Sequence, residues 1–182
     1  MNNELIKNHF LVIPGFIIPK NAVYLAQLLK GLRYTGTYKG DDQVPNSNVF
    51  SDAIVTLELL TQKTPEVSRI LGEFLLPTYS YARIYHKGAV LAPHTDRAAC
   101  EISLTVHLDS DKPWDFWIDK PNGERKYINL NPGDAVMYLG CLALHGRRDQ
   151  YEGEEYTQVF LHYVRSRGPN AWAYFDKTKE PS

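Results

Sequence analysis

The sequence predicts a mainly β domain with helices gathered at its N-terminal side. From residue 78 onward, short stretches rich in aromatic and β-branched residues alternate with turn signals such as Pro121-Asn122-Gly123 and Asn131-Pro132-Gly133-Asp134. That is the pattern of antiparallel strands in two facing sheets or a barrel. Before residue 78, leucines recur at helical spacing, with proline and glycine where helices start and stop. A length of 182 residues, 43% of them hydrophobic, suits one domain with a full core. We divide it into a helical support region over 1–77, a β core over 78–166 and a tail over 167–182.

Taken in order, residues 9–13 read as a strand, Pro14-Gly15 as a turn, and 22–32 as a helix with Pro19 near its first turn and Gly31 near its end. Leu25, Ala26, Leu28, Leu29 and Leu32 form its apolar stripe, which should pack on a sheet. Residues 34–52 carry Gly, Asp, Asn, Ser and Pro without periodicity and read as a long loop, whose Asn46, Ser47 and Asn48 are placed to reach over a site. Periodicity leaves 53–60 open between strand and helix. Thr64-Pro65-Glu66 predicts a helix start, with Thr as N-cap and Pro in the first turn, running to about Leu75. Strands follow at 79–85, 101–108, 114–118, 126–130, 135–138 and 158–164. Trp172, Tyr174 and Phe175 in the tail are expected to cover an open end of the β core.

The net charge of -1 leaves no electrostatic footprint for a phosphate backbone, so nucleic acid is a disfavoured partner. The apolar run 10–18 is short and broken by Pro14 and Gly15, which fits neither a signal peptide nor a membrane span. Two cysteines, Cys100 and Cys141, do not make a secreted disulfide framework and read as reduced, buried thiols in a cytoplasmic setting. Nothing in the sequence speaks to oligomeric state.

The chemistry centres on Leu91-Ala92-Pro93-His94-Thr95-Asp96-Arg97. In an extended segment residues i and i+2 project to one side, so His94 and Asp96 can point at one atom. His145, in Leu142-Ala143-Leu144-His145-Gly146, supplies a third donor if the fold returns it. Two histidines and one carboxylate with the remaining positions open form the ligand set of non-haem Fe(II) oxygenases. His9, His86, His107 and His162 read as ordinary hydrogen-bonded histidines, and Trp114, Phe116 and Trp117 as core or rim. Arg97 and Glu101 flank the ligand pair, facing the mouth of the site or supporting Asp96.

The ordered set Tyr85-x-x-Gly88, His94-x-Asp96, Pro132-Gly133-Asp134, His145 and a closing strand resembles the Fe(II)/2-oxoglutarate-dependent dioxygenases, in particular their prolyl-4-hydroxylase-like branch, from about His9 to Val164. The resemblance implies a double-stranded β-helix, a jelly-roll and cupin-like core with the early helices against one sheet. It implies His94, Asp96 and His145 as ligands of Fe(II), with 2-oxoglutarate as co-substrate, O2 as oxidant and ascorbate as an auxiliary reductant. The distal carboxylate of 2-oxoglutarate then needs a buried cation, which relatives place near the start of the closing strand. Here Glu155 stands at that point.

Two replacements are available. Arg83 shares a strand face with Tyr85, which matches a tyrosine that in relatives donates to the same carboxylate, and Arg83 with Tyr85 is the expected clamp. Arg147, two residues past His145, is the second candidate, or pairs with Glu155 instead. Gln158 and His162 become polar partners if the parity of the closing strand is reversed.

The resemblance implies hydroxylation of an unactivated C–H bond with release of succinate and CO2. The substrate is left open between a peptidyl proline, another amino-acid residue and a small free molecule, with nucleobases disfavoured by the charge balance. The competing readings are a non-enzymatic jelly-roll binding module and a zinc hydrolase built on the same three ligands.

Overall fold

In the computed structural model, which describes residues 2–34 and 38–175, nine strands form two antiparallel sheets. In chain order they are β1 (Phe10–Ile13), β2 (Ser47–Ser51), β3 (Leu75–His86), β4 (Ile102–Ser110), β5 (Phe116–Asp119), β6 (Arg125–Ile128), β7 (Ala135–Leu139), β8 (His145–Arg147) and β9 (Glu155–Arg165). Six of them make the larger sheet in the order β1-β7-β4-β9-β3-β2, and β6-β5-β8 make the smaller. The two sheets face one another, with Tyr138 of the larger against Phe116 and His145 of the smaller at ring separations of 5.7 and 4.6 Å. This is a double-stranded β-helix, as the resemblance implies. No helix is long and apolar enough to cross a membrane among the described residues.

The helices are α1 (Asn3–Asn8), α2 (Pro19–Leu32) and α3 (Ile54–Leu71). The main apolar core lies between them and the outer face of the larger sheet. Ala22, Ala26 and Leu29 of α2 and Leu60, Val67 and Leu71 of α3 cluster with Ile102, Leu104, Val106, Val159, Leu161 and Tyr163. Strand alternation therefore turns the other set inward, and that set includes polar residues: Arg83 on β3, Ser103, Thr105 and His107 on β4, Gln158 and His162 on β9 are all buried. Buried polar side chains need partners, and these sit beside two smaller apolar clusters, around Tyr85, Trp114 and Tyr156 and around Phe116, Val136 and Tyr138.

Three expectations are corrected. The stretch 34–52 is not all loop, because β2 pairs with β3 along its open edge (Ser47 opposite Tyr85, Ser51 opposite Tyr81); residues 35–37 lie outside the described residues. Backbone pairing supplies what Ser47-Asn48-Val49-Phe50-Ser51 lacks in β propensity. Thr64 and Pro65 do not start a helix. They sit inside α3, where Thr64 Oγ1 donates to Leu60 O at 2.8 Å, and α3 ends on Gly72 (φ 78°), leaving Leu75 to open β3. The stripe Thr56, Leu60, Val67 and Leu71 is fully buried, and its burial outweighs the ~3 kcal/mol that an internal proline costs. In the tail, Trp172 packs beside Leu76 and Tyr79, whereas Tyr174 and Phe175 are more than half exposed.

Candidate active site

The segment after β3 runs extended beside β8 and joins it at one point. His94 N–H donates to His145 O and His145 N–H to His94 O, both at 3.0 Å. Asp96 N–H donates to Gly140 O at 2.9 Å, which fixes the second residue of the pair. The long gap between His94 and His145 is closed by this backbone bridge, and the rings come to 4.4 Å between centroids.

Local hydrogen bonds choose the tautomers. Nδ1 of His94 bonds Ala92 O and Nδ1 of His145 bonds Ala143 O, each at 2.9 Å. A carbonyl only accepts, so both Nδ1 atoms carry the proton and both Nε2 atoms present bare lone pairs. These lie 3.7 Å (His94) and 3.6 Å (His145) from the same atom, Asp96 Oδ1. Burial lowers the pKa of His145, favouring the neutral, ligating form; the nearby Asp96 opposes that shift in part. His94, Asp96 and His145 thus present two nitrogens and one oxygen to a common point, a donor set that fits Fe(II) and leaves coordination positions open.

The other oxygen, Asp96 Oδ2, accepts from Ser103 Oγ at 2.9 Å. Ser103 Oγ also lies 3.0 Å from Cys100 O, and because both of these partners only accept, the 2.9 Å contact between Ser103 Oγ and His162 is an Nδ1–H donating to the hydroxyl. Gly140 makes room for this arrangement: a Cβ there would lie 2.1 Å from Cys100 O and 2.5 Å from Asp96 Oδ2. Burial pushes the His162 pKa down to about 4 and the Cys100 thiol up to about 12.

Deeper in the barrel lies a second polar group. Arg147, 4% exposed, projects from β8 two residues beyond His145. It donates through Nη1 to Trp114 O at 2.5 Å and through Nη2 to Gln158 Oε1, and its guanidinium lies 4.4 Å from the Tyr156 ring centre. No carboxylate pairs with it among the described residues. Its Nε, the Tyr85 hydroxyl and the Tyr156 hydroxyl are buried without a partner. Arg147 is thus a buried cation whose Nη atoms are met by neutral acceptors rather than by a carboxylate.

Arg83 is differently placed. It is equally buried, but Nη2 pairs with Asp41 Oδ2 at 2.5 Å and contacts Tyr81 Oη at 3.0 Å, so its charge is already met within the chain. Glu155 faces the opposite side of β9, pairing with Arg33 and Lys30 of the α2 region. It does not pair with Arg147. The inward residues of β9 are Tyr156, Gln158, Phe160 and His162, so the reversed parity is the one observed.

The triad opens into a cavity of about 570 Å³. Tyr79, Tyr81, Phe160 and His162 line it, with Arg83 and Tyr85 on the same wall and Asp41 and Gln43 contributed by the stretch before β2. Asn46, Ser47 and Asn48 hold that stretch in place instead, bonding Lys87 O, Val44 O and Tyr38 O. Glu101 turns away to bind Arg165, while Arg97 lies over the Tyr79 ring at 4.8 Å. His107 is satisfied by Leu130 O and Ser110. Ser103 is the residue that sequence reasoning passed over, and His162 was read there as an ordinary histidine or a polar partner on β9 rather than as a neighbour of Asp96 through Ser103. The signal for Ser103 was its place in step with Thr105 and His107 on β4, opposite His162.

No protein-family model matches this sequence, and no curated protein matches it. Solved structures do. A Pseudomonas putida prolyl-4-hydroxylase superposes with a TM-score of 0.74 at 14% identity, covering 91% of this chain and 97% of that one. HygX from Streptomyces hygroscopicus, solved with nickel and 2-oxoglutarate bound, gives 0.72 at 13% identity over 92% and 88% of the two chains. A prolyl hydroxylase from Trichoplax adhaerens, in complex with a hypoxia-inducible-factor oxygen degradation domain peptide fragment, gives 0.70 at 14% identity over 91% and 87%. The chain has the fold of the 2-oxoglutarate- and Fe(II)-dependent oxygenases.

Proposed function

We propose that this protein is an oxygenase that uses Fe(II), 2-oxoglutarate and O2 to hydroxylate an unactivated C–H bond, releasing succinate and CO2. The observation that carries the reading is the convergence of the two bare Nε2 atoms, of His94 and His145, on one oxygen of Asp96. These three residues would hold the iron, and Arg147 with the Tyr85 hydroxyl would hold the distal carboxylate of 2-oxoglutarate. Arg147 is preferred to Arg83 because its charge has no carboxylate partner, and an arriving anion would remove a standing desolvation cost. Two residues of strand separate His145 from Arg147, roughly 7 Å, a span that suits a short diacid reaching from one to the other.

When bound, iron with 2-oxoglutarate supplies the oxidising power, coupling decarboxylation of the keto acid to transfer of one oxygen atom from O2. The chain supplies orientation and exclusion of water. Ala92 O and Ala143 O fix the ring tautomers, Ser103 holds the carboxylate plane through Oδ2, and the sheets close off the inner end around Arg147.

For the substrate we take an amino-acid residue, peptidyl proline first, on the strength of two prolyl hydroxylases sharing this fold and of a cavity with an aromatic wall beside the triad. A free small molecule is the second reading, since HygX, which shares the fold, has been solved with hygromycin B bound. The test is succinate formation against a panel of proline peptides, free amino acids and small molecules. The expected result is succinate release that requires Fe(II) and O2 and is lost in Asp96→Ala. Turnover that persists without oxygen would point to a zinc hydrolase. Binding without any turnover would point to a jelly-roll binding module.

A further inference from the structure

The proposed iron centre uses one face of Asp96. Oδ1 looks toward His94 and His145, while Oδ2 looks the other way, onto Ser103. On that far side stand Cys100 and His162, both buried and both lining the cavity. One ligand atom each from Asp96, Cys100 and His162 lies within 4.8 Å of the other two. Tyr79 Oη stands 3.0 Å from Cys100 Sγ, and Ser103 Oγ bridges Asp96 Oδ2 to His162 Nδ1. Sulfur, nitrogen and carboxylate oxygen therefore meet in one buried place, next to a triad that contains no sulfur.

We propose that Asp96, Cys100 and His162 form a second metal site, which takes a thiophilic divalent ion such as zinc or cadmium and uses the Asp96 carboxylate as a bridge to the first. Zinc bonds to sulfur, imidazole and carboxylate run from about 2.0 to 2.3 Å, so modest side-chain rotation closes the separation already present. Softness separates the two sites. A thiolate ligand favours zinc, copper(I) and cadmium, whereas two imidazoles and a carboxylate with open positions suit Fe(II). The ion displaces the Cys100 thiol proton, which leaves to solvent through the cavity. An ion held there stands between the triad and the Tyr79–His162 wall, so it blocks the space next to the first centre. Thiophilic metals are thus expected to inhibit without removing what His94 and His145 hold. The site does not depend on the oxygenase reading, because it needs no iron beside it.

The test is titration of the metal-free full chain with Cd2+, read by the ultraviolet thiolate-to-cadmium charge-transfer band and by cadmium X-ray absorption. We expect a band that saturates at a single equivalent, with one sulfur in the first shell of that ion. Cys100→Ser should abolish the band and Cys141→Ser should leave it unchanged. His145→Ala should remove the other ion and keep the band, so the failure of either site is seen apart from the other. No band in the folded wild-type protein, a band that survives Cys100→Ser, or an absorption spectrum without sulfur overturns the proposal. The X-ray measurement on the wild type keeps it refutable even if a variant fails to fold.

Discussion

His145 and Arg147 lie on the same face of one three-residue strand, the imidazole at the carboxylate of Asp96 and the guanidinium at the closed end of the barrel. Strand period alone sets this relation. If a keto acid chelates at one end, its far carboxylate meets the other.

The first prediction separates the two candidate cations. Truncating one partner of a buried charge pair costs about 2–5 kcal/mol, so Arg147→Gln should raise the Kd for 2-oxoglutarate by ~30-fold or more. Arg83→Met removes the partner of Asp41 and should loosen the stretch before β2 while changing that Kd by less than about tenfold. Calorimetric titration of the metal-loaded variants without oxygen reads both. A larger loss in Arg83→Met would reverse the assignment.

The second concerns the support behind the carboxylate. Groups that orient a ligand commonly contribute 10–100-fold to metal affinity, so Ser103→Ala should weaken Fe(II) or Co(II) binding by about that factor. Gly140→Ala should do at least as much and also destabilise the fold by about 1–3 kcal/mol, because its Cβ would overlap Cys100 O and Asp96 Oδ2. Competition against a chromophoric chelator gives the affinities. Wild-type affinity in Ser103→Ala would mean that Asp96 needs no holding.

The parts of this site that could be read from the sequence were those set by local geometry. His94 and Asp96 share a face because any extended segment alternates, and His145 was reached only through its place in an ordered pattern, since no local rule says that its backbone pairs with His94. Arg147 was harder to rank. From Tyr156 to Val164 only Phe160 is more than sparsely exposed, so hydrophobic alternation gives no parity for β9. With the parity open, neither Glu155's outward direction nor Gln158's inward one could be read. In α3 a local signal misled, because Thr64-Pro65 looks like a helix start and only tertiary burial of Leu60 and Val67 carries the helix through it.

That internal proline leads to the third prediction. Pro65 offers no N–H for the Thr61 carbonyl one turn earlier, and its ring crowds that group. Pro65→Ala should restore the bond and stabilise the protein by about 1–2 kcal/mol, after allowing for the greater entropy of the unfolded chain. Urea unfolding at neutral pH measures it. A destabilised variant would mean that the proline ring itself is needed to seat Leu60 and Val67 on the sheet.

The fourth follows from His162, buried against Ser103 and pushed by burial from the usual 6.5 to about 4. The unfolded chain therefore takes up this proton more readily than the native one. Its contribution to stability is fully present above pH ~6.5, is lost progressively as pH falls toward about 4, and is constant below that. The total is about 3 kcal/mol. His145, lowered by burial in the same direction, adds to the same acid loss. His162→Asn should be less stable than wild type at pH 7.5, having lost the bond to Ser103, yet should lose distinctly less on going to pH 4.5. Urea midpoints of the metal-free proteins at the two pH values give the comparison. Equal losses in both proteins would show that His162 takes up its proton in the native state, and that the inner face of β9 is open enough to water for the imidazolium to be solvated where it stands.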